Sequence, residues 1–441
     1  MIPPGLIIAA PASGSGKTVL TLGLLRHLKD SGVTVASAKI GPDYIDPTFH
    51  TAATGRSCVN LDPWAMRGES LDCLIRNIGR DAQLLVCEGV MGLFDGAASD
   101  AGSSADLAAH AGWPVLLVVD VRRQGASAAA VVRGFATQRG DIDVAGVVFN
   151  NVGGSRHAEI LRETMASGLP HIPVLGYLPH DHAFALPERH LGLVQATEHP
   201  RLEAFLGVAA KGIATYVDTD SLIALARPAR IVKEGPSALA PLLVPPLGQR
   251  IAVARDEAFS FSYTALLEGW RGAGSELAFF SPLADESPDG AADAVYLPGG
   301  YPELYAGKLA SGECFRSGLK DAAERGAAVF GECGGYMVLG KTLMDGAGKK
   351  HTMTGLLPLS TTFAECTLHL GYREARLTAK TALGGKNALF RGHEFHYAGI
   401  VEEGPGDALF TCYDARGASL GTAGLRSGKV MGSFIHLIDR G

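Results

Sequence analysis

Ala9-Ala10-Pro11-Ala12-Ser13-Gly14-Ser15-Gly16-Lys17-Thr18 is the stretch that decides the fold class of the first half of the chain. An apolar run at 6–10 leads into it and a helical segment at 17–30 leaves it, so it reads as strand, glycine loop, helix. In that context the glycines let the backbone curl until successive N–H groups point at phosphate oxygens. The helix N-terminus adds partial positive charge, Lys17 reaches the terminal phosphates, and Thr18 offers a hydroxyl to Mg²⁺. Gly14, Ser15, Gly16, Lys17 and Thr18 are therefore the candidate ATP-binding set. The usual spacing wants a further glycine at position 11, where Pro11 stands, so this is a variant phosphate loop.

Working outward, short apolar runs at 33–38, 84–87, 115–119 and 144–149 read as buried strands, too continuous for a one-sided sheet. Amphipathic or alanine-rich segments such as 17–30 and 127–137 separate them, which is the pattern of a parallel sheet covered by helices. The pattern breaks at 226–249, where Pro228, Pro236, Pro241, Pro245 and Pro246 mark a linker. It resumes with strand candidates at 251–254, 277–280, 294–297 and 327–330. The expectation is an α/β protein with a nucleotide-binding domain at 1–225, a linker at 226–249 and a second α/β domain at 250–441. A length of 441 residues suffices for two or three cores.

Composition narrows the class. The 57 glycines follow no G-X-Y period and form no low-complexity tract, which excludes collagen and disorder. A net charge of −6 argues against a general nucleic-acid binder. No apolar run approaches the roughly 20 residues of a membrane span. The apolar start lacks a basic n-region, so no signal peptide is expected. Seven scattered cysteines, an odd number with no C-x-x-C pair, point to a reducing cytoplasm and leave one thiol available for catalysis.

Acidic residues gather at predicted strand ends. Lys39-Ile40-Gly41-Pro42-Asp43-Tyr44-Ile45-Asp46-Pro47 follows the second strand, with Asp43 and Asp46 three apart in a proline-bounded turn. Glu88 closes the 84–87 strand, where a phosphate-loop enzyme places a second metal-binding acid, and Asp95 follows in Gly92-Leu93-Phe94-Asp95-Gly96. Each of these is by itself an ordinary turn residue. Together they line the edge where open α/β sheets bind ligands. Lys39 could neutralise a phosphate or a substrate carboxylate there, with Tyr44 in the same turn. Asn150 ends the fifth strand, where an amide could read adenine, and a plain turn serves it equally. Pro187-Glu188-Arg189-His190-Leu191-Gly192-Leu193 and Arg122-Arg123-Gln124 are polar clusters that read equally as ligand contacts or solvated turns.

In the second half, Ala328-Val329-Phe330-Gly331-Glu332-Cys333-Gly334-Gly335-Tyr336-Met337 reads strand, tight turn, helix. A cysteine on such an elbow sits at a helix N-terminus that favours its thiolate. The Gly334 N–H is a ready oxyanion donor, and Leu297-Pro298-Gly299-Gly300-Tyr301-Pro302-Glu303 supplies a second glycine turn, with Gly300 as the other donor. A general base is needed for the thiol; His436 near the C-terminus is the leading candidate, with His393 and His396 as rivals that spacing does not separate.

With these motifs in order from about residue 5 to the end, the chain resembles the cobyrinic acid a,c-diamide synthase family of corrinoid biosynthesis. Pro63-Trp64-Ala65-Met66 and Phe280-Ser281-Pro282-Leu283-Ala284-Asp285-Glu286 are most similar to the branch that acts on hydrogenobyrinic acid before cobalt insertion. The resemblance implies an N-terminal part similar to dethiobiotin synthetase, binding ATP, Mg²⁺ and the tetrapyrrole, and a C-terminal part resembling class I glutamine amidotransferases. It implies amidation of the a and c acetate carboxylates through acyl phosphates, with L-glutamine as the nitrogen source. Carried over by position, Thr18, Asp43 and Glu88 are Mg²⁺ ligands, Asp46 and Asp95 handle the carboxylate and its acyl phosphate, Cys333 is the nucleophile and His436 its base. A homodimer is a candidate assembly; nucleic acid and membrane are not expected partners. Two departures matter: the glutamate usually found two residues beyond the histidine is Ile438, and the glutamine usually four after the cysteine is Met337. Glu394 and Asp439 are the unranked candidates for the acid that orients His436. Competing readings are amidation of another tetrapyrrole, such as a nickel macrocycle or the corrin's remaining carboxylates, and a partitioning-type ATPase switch. The second lysine that marks the switch class would fall at Ala12.

Overall fold

The apolar runs of the first half do become strands: β1 (Pro4–Ala9), β2 (Val35–Ile40), β3 (Val59–Leu61), β4 (Leu84–Glu88), β5 (Val115–Asp120), β6 (Val144–Val152) and β7 (Val174–Pro179). They lie in the order β3-β2-β4-β1-β5-β6-β7, and every neighbouring pair is parallel. All six residues of β2 are buried, as a strand covered on both faces requires. Helix α1 (Lys17–Asp30) opens directly from the glycine loop, and α2 (Asp46–Thr54) starts at Asp46 with Pro47 in its first turn, a position where the missing proline N–H costs nothing.

The computed structural model describes residues 2–98, 101–181, 188–189, 192–193, 195–231, 241–365 and 367–441. Two compact units result: Met1–Trp64 with Leu71–Ala238, and Ala65–Ser70 with Leu239–Gly441. The division falls inside the proline-rich 226–249 stretch, whose first residues, Arg227–Pro228, pair antiparallel with β1. The assignment of Ala65–Ser70 to the second unit has a local cause. The Arg67 guanidinium grips the fully buried Asp439 carboxylate through Nη2–Oδ1 at 2.9 Å and Nε–Oδ2 at 3.1 Å, a bidentate geometry that arginine's planar fork favours.

In the second unit, β8 (Arg250–Ala254), β9 (Glu276–Phe280), β10 (Ala294–Leu297) and β11 (Ala328–Glu332) repeat the parallel pattern. The antiparallel continuation comprises β12 (His369–Leu377), β13 (Leu389–His396), β14 (Asp407–Asp414), β15 (Ser419–Ser427), β16 (Val430–Ser433) and β17 (Ile435–Arg440). The sheet order is β9-β8-β10-β11-β16-β15-β14-β12-β13-β17, with β16 parallel to β11. One residue separates β16 from β17 in the chain, yet β17 pairs with β13 at the far end of the order. The antiparallel strands therefore curl back until their last member meets the end of β16. That turn brings the segment after Ser433 to the C-terminal end of β11, where the cysteine elbow sits. The helix Gly334–Leu339 that follows the elbow is buried throughout.

Candidate active site

In the first unit the glycine loop closes on itself. Gly16 caps α1 at φ 94°, and a Cβ there would sit 2.1 Å from Nδ2 of Asn150, so glycine is needed for backbone angle and for space. The Asn150 amide donates to the Ser15 carbonyl at 3.0 Å and so braces the loop. Lys17 is buried and donates to the Met91 carbonyl at 2.6 Å and to the Ala12 carbonyl at 3.3 Å. Burial, and then the neighbouring Lys39 cation, lower its pKa to about 8.

Glu88 is the hub. Its side chain is wholly buried at the end of β4, where Oε1 accepts from the Thr18 hydroxyl at 2.6 Å and from Lys39 at 2.9 Å, and Oε2 meets Nε2 of His50 at 2.8 Å. Burial disfavours its charge, but Lys39, His50 and Thr18 outweigh that and hold the carboxyl below the usual range. Lys39 also pairs with Asp46 at 2.5 Å. Burial opposes the Lys39 ammonium, yet Asp46 and Glu88 keep its pKa above the ordinary value. Burial and the nearby Asp43 raise Asp46 to about 7. Asp43 accepts from the backbone of Ile45 at 2.7 Å and of Asp46 at 2.9 Å through Oδ1, capping α2. Tyr44 lies in the turn between those two acids. Asp95 accepts from the Gly92 N–H at 2.8 Å, shaping the loop after β4.

Thr18, Glu88 and Asp43 present hard oxygen donors at the loop's end, the kind that Mg²⁺ accepts. Thr18 and Glu88 already touch, and Asp43 keeps one carboxylate oxygen beyond its capping bonds. The oxygen chemistry of these donors therefore suits the ion.

The second unit builds the other half-site. Cys333 sits at φ 47°, ψ −102°, in the sharp turn between β11 and its helix, and its N–H is fixed by the Ser433 carbonyl at 2.8 Å. A side chain held in this sparsely populated region is a hallmark of a strained elbow. Burial pushes the Cys333 thiol up, nearby Glu303 adds to that, and the Gly334 N–H pulls the other way. His436 is 1% exposed. A Cβ built on Gly299 would lie 2.4 Å from Cε1 and 3.2 Å from Nε2 of His436, and 3.3 Å from Cβ of Cys333. Gly299 thus marks the slot between the Cys333 and His436 side chains. The same test on Gly334 finds the Gly300 nitrogen 3.1 Å away, so the two expected oxyanion donors lie side by side.

Of the two rivals, His396 is engaged elsewhere, and what sets His436 apart is its place beside Gly299 and Cys333. His396 bonds to the Ala398 carbonyl through Nδ1 and to Glu394 through Nε2. Burial and the Arg373 cation lower His393 to about 4. Both expected orienting acids are engaged by arginines: Asp439 by Arg67, and Glu394, whose charge reaches His436, by Arg373 at 2.7 Å and also by His396 at 2.9 Å.

Comparison with known proteins agrees with this division. Residues 6–194 match the family model described as CobQ/CobB/MinD/ParA nucleotide binding domain, and residues 250–440 that of a CobB/CobQ-like glutamine amidotransferase domain. A hydrogenobyrinate a,c-diamide synthase of Sinorhizobium sp is 55% identical over 99% of this chain and 98% of its own length. The chain belongs to the hydrogenobyrinate a,c-diamide synthase family. Relatives of the same name from Brucella abortus biovar 1 and Mesorhizobium japonicum are 55% and 49% identical, each over 99% of this chain and 98% of theirs.

Several residues that complete this family member's two half-sites carried no signal in the motif reading. His50 on α2 lies four residues after Asp46, on the same helix face, and that spacing could have pointed to it. Cys58 Sγ lies 3.5 Å from its Nδ1, and Asn60 holds the Gly41 and Asp43 carbonyls. Of the polar clusters, Arg122 pairs with Asp120, Glu188–Arg189 forms a small hairpin with Gly192–Leu193, and Pro187, His190 and Leu191 lie outside the described residues. Among the described residues six cysteines are free; Cys366 lies outside them. No helix of the described residues is long and apolar enough to cross a membrane.

Proposed function

We propose that this protein is an ATP- and glutamine-dependent amide ligase converting hydrogenobyrinic acid to its a,c-diamide in the cytoplasm. The observation that carries the reading is the 55% identity over essentially the whole length to relatives of that name. Two intact half-sites, one for a nucleotide and one for glutamine, support it. A partitioning switch would have no use for the Cys333–His436 pair.

The chemistry needs both. A carboxylate is a poor electrophile, so one of its oxygens attacks the γ-phosphorus of ATP, ADP leaves, and a mixed anhydride forms. Lys17 and the loop N–H groups offset charge on the transferred phosphoryl, while Asp46 and Asp95 orient the acid. Mg²⁺, held by Thr18, Asp43 and Glu88, would neutralise charge on the β- and γ-phosphates. In the second unit His436 takes the Cys333 proton, and the thiolate attacks the glutamine amide carbon. The oxyanion is met by the Gly300 and Gly334 N–H groups. Ammonia leaves with that proton, and water hydrolyses the thioester to glutamate. The ammonia attacks the anhydride carbon, loses a proton and expels phosphate. Generating ammonia within the same protein raises its concentration where neutral ammonia is scarce. Two carboxylates take two such rounds.

Mass spectrometry of product formed from hydrogenobyrinic acid and from cobyrinic acid, side by side, tests the substrate. Diamide from the metal-free acid is expected; diamide from the cobalt form alone overturns that assignment. Cys333→Ala should abolish glutamine hydrolysis and keep ammonia-driven amidation. A folded variant that lost both would refute the division of labour.

A further inference from the structure

Glu332 precedes the nucleophile at the end of β11 and is 2% exposed. The Leu437 N–H donates to Oε1 at 3.0 Å, and the Tyr296 hydroxyl donates to Oε2 at 2.7 Å. That same Oε2 lies 3.9 Å from Nδ1 of His436. Two donors on two different strands, β10 and β17, therefore aim this carboxyl at the imidazole, one of them from the residue next to the histidine. The acids expected from sequence are committed to arginines, and Ile438 is apolar and buried.

We propose that Glu332 is the positioning residue of the glutaminase half-site: it orients His436 and stabilises the imidazolium formed when Nε2 takes the Cys333 proton. The inference rests on the amidotransferase reading and deepens it. A separation of 3.9 Å is ion-pair distance; catalytic hydrogen bonds are often long before substrate binds and tighten afterwards. With Nε2 as the base, the neutral ring already carries its proton on Nδ1, so Nδ1–H is the donor and the Glu332 carboxylate the acceptor, and charging the ring strengthens that bond. The proton then passes from Nε2 to the departing ammonia, so Glu332 exchanges none.

Electrostatics agree. Burial, then His393 and His396, lower His436 to about 3 against the pull of Glu394, so an imidazolium there gains from a further anion as near as Glu332. Burial raises Glu332 to about 7, against the pull of Leu437 and Tyr296. The titratable groups that act on this pair are Tyr296, itself influenced by Tyr263, Cys333, adjacent to Glu332 in the chain, and Glu394, His393 and His396, which act on the ring.

The test uses the full chain and reads glutamine hydrolysis, which needs no corrinoid. Glu332→Gln keeps the shape and the acceptor for Leu437 but removes the charge. Hydrolysis should slow by roughly 10²–10³-fold in kcat at little changed KM, somewhat less than the ~10⁴-fold known for removing the charge of a triad aspartate. Ammonia-driven diamide formation should persist. Hydrolysis within about threefold of the parent, or loss of both activities, overturns the proposal. Tyr296→Phe is the second variant: without its hydroxyl, Glu332 holds its proton to higher pH, so the acid limb of kcat/KM should move up by roughly half a unit or more. An unmoved limb also overturns it, even if Glu332→Gln fails to fold. Absence of corrinoid diamide from the parent would instead refute the substrate reading and leave this one standing.

Discussion

Gly299→Ala should uncouple the two activities by a steric wedge. The added Cβ would sit 2.4 Å from Cε1 of His436, 3.2 Å from Nε2 and 3.3 Å from Cβ of Cys333. Non-bonded carbons settle at about 3.5–4.0 Å, so the imidazole must retreat by about 1 Å. Its backbone has little freedom, since β17 is paired residue by residue with β13 around His436. A misplacement of that size costs about 10²-fold in rate, or about 2.7 kcal/mol on the barrier. Overpacking strain would lower stability by a further ~1–3 kcal/mol. Glutamate release and alkylation of Cys333 by a glutamine-like chloroketone should both slow about 10²-fold, while ammonia-driven amidation stays near the parental rate. Hydrolysis within about threefold of the parent would show that Gly299 is not the slot between nucleophile and base, and the geometric assignment of His436 would fall with it.

Other consequences concern the first unit. Glu88→Gln takes from His50 its buried counter-charge and from Lys39 one of two, Asp46 remaining, which should cost about 3–5 kcal/mol and lower the urea midpoint of that unit. ATP-dependent amidation should vanish while glutamine hydrolysis continues; an unchanged midpoint would mean that Glu88 is not the electrostatic hub. Lys17, lowered to about 8 by burial and by Lys39, loses its charge in the free protein as pH rises through that value. Triphosphate binding should restore the charge, so calorimetry in buffers of different ionisation enthalpy should show proton uptake above pH 8, and affinity should weaken from pH 7 to 9. Constant affinity with no uptake would contradict it.

Local pattern carried much of this. The run 115–119 reads as a buried strand because every residue is apolar and β-prone, and β5 spans Val115–Asp120. The glycine loop needs no tertiary information, since strand, loop and helix are consecutive in the chain. Arg67 was illegible for the opposite reason: its partner Asp439 is 372 positions away, and a lone arginine beside a glycine resembles any surface arginine. The bond from Asn150 to the Ser15 carbonyl was not legible either, because a strand-end amide has the same pattern whether it faces a base or a loop carbonyl.

The cysteine elbow and the phosphate loop are determined by the sequence alone, because backbone turn chemistry is local and glycine positions encode it. Which histidine serves Cys333, and which acid serves that histidine, is decided only when the antiparallel strands curl and set β17 beside β11. The acids at 394 and 439 could not be ranked from the sequence, and Glu332 was not among the candidates it offered. Folding ranks them by placing Asp439 and Glu394 against arginines and by aiming Glu332 at the ring through donors on two other strands. Such contacts depend on distance in space, which the order of residues along the chain does not express.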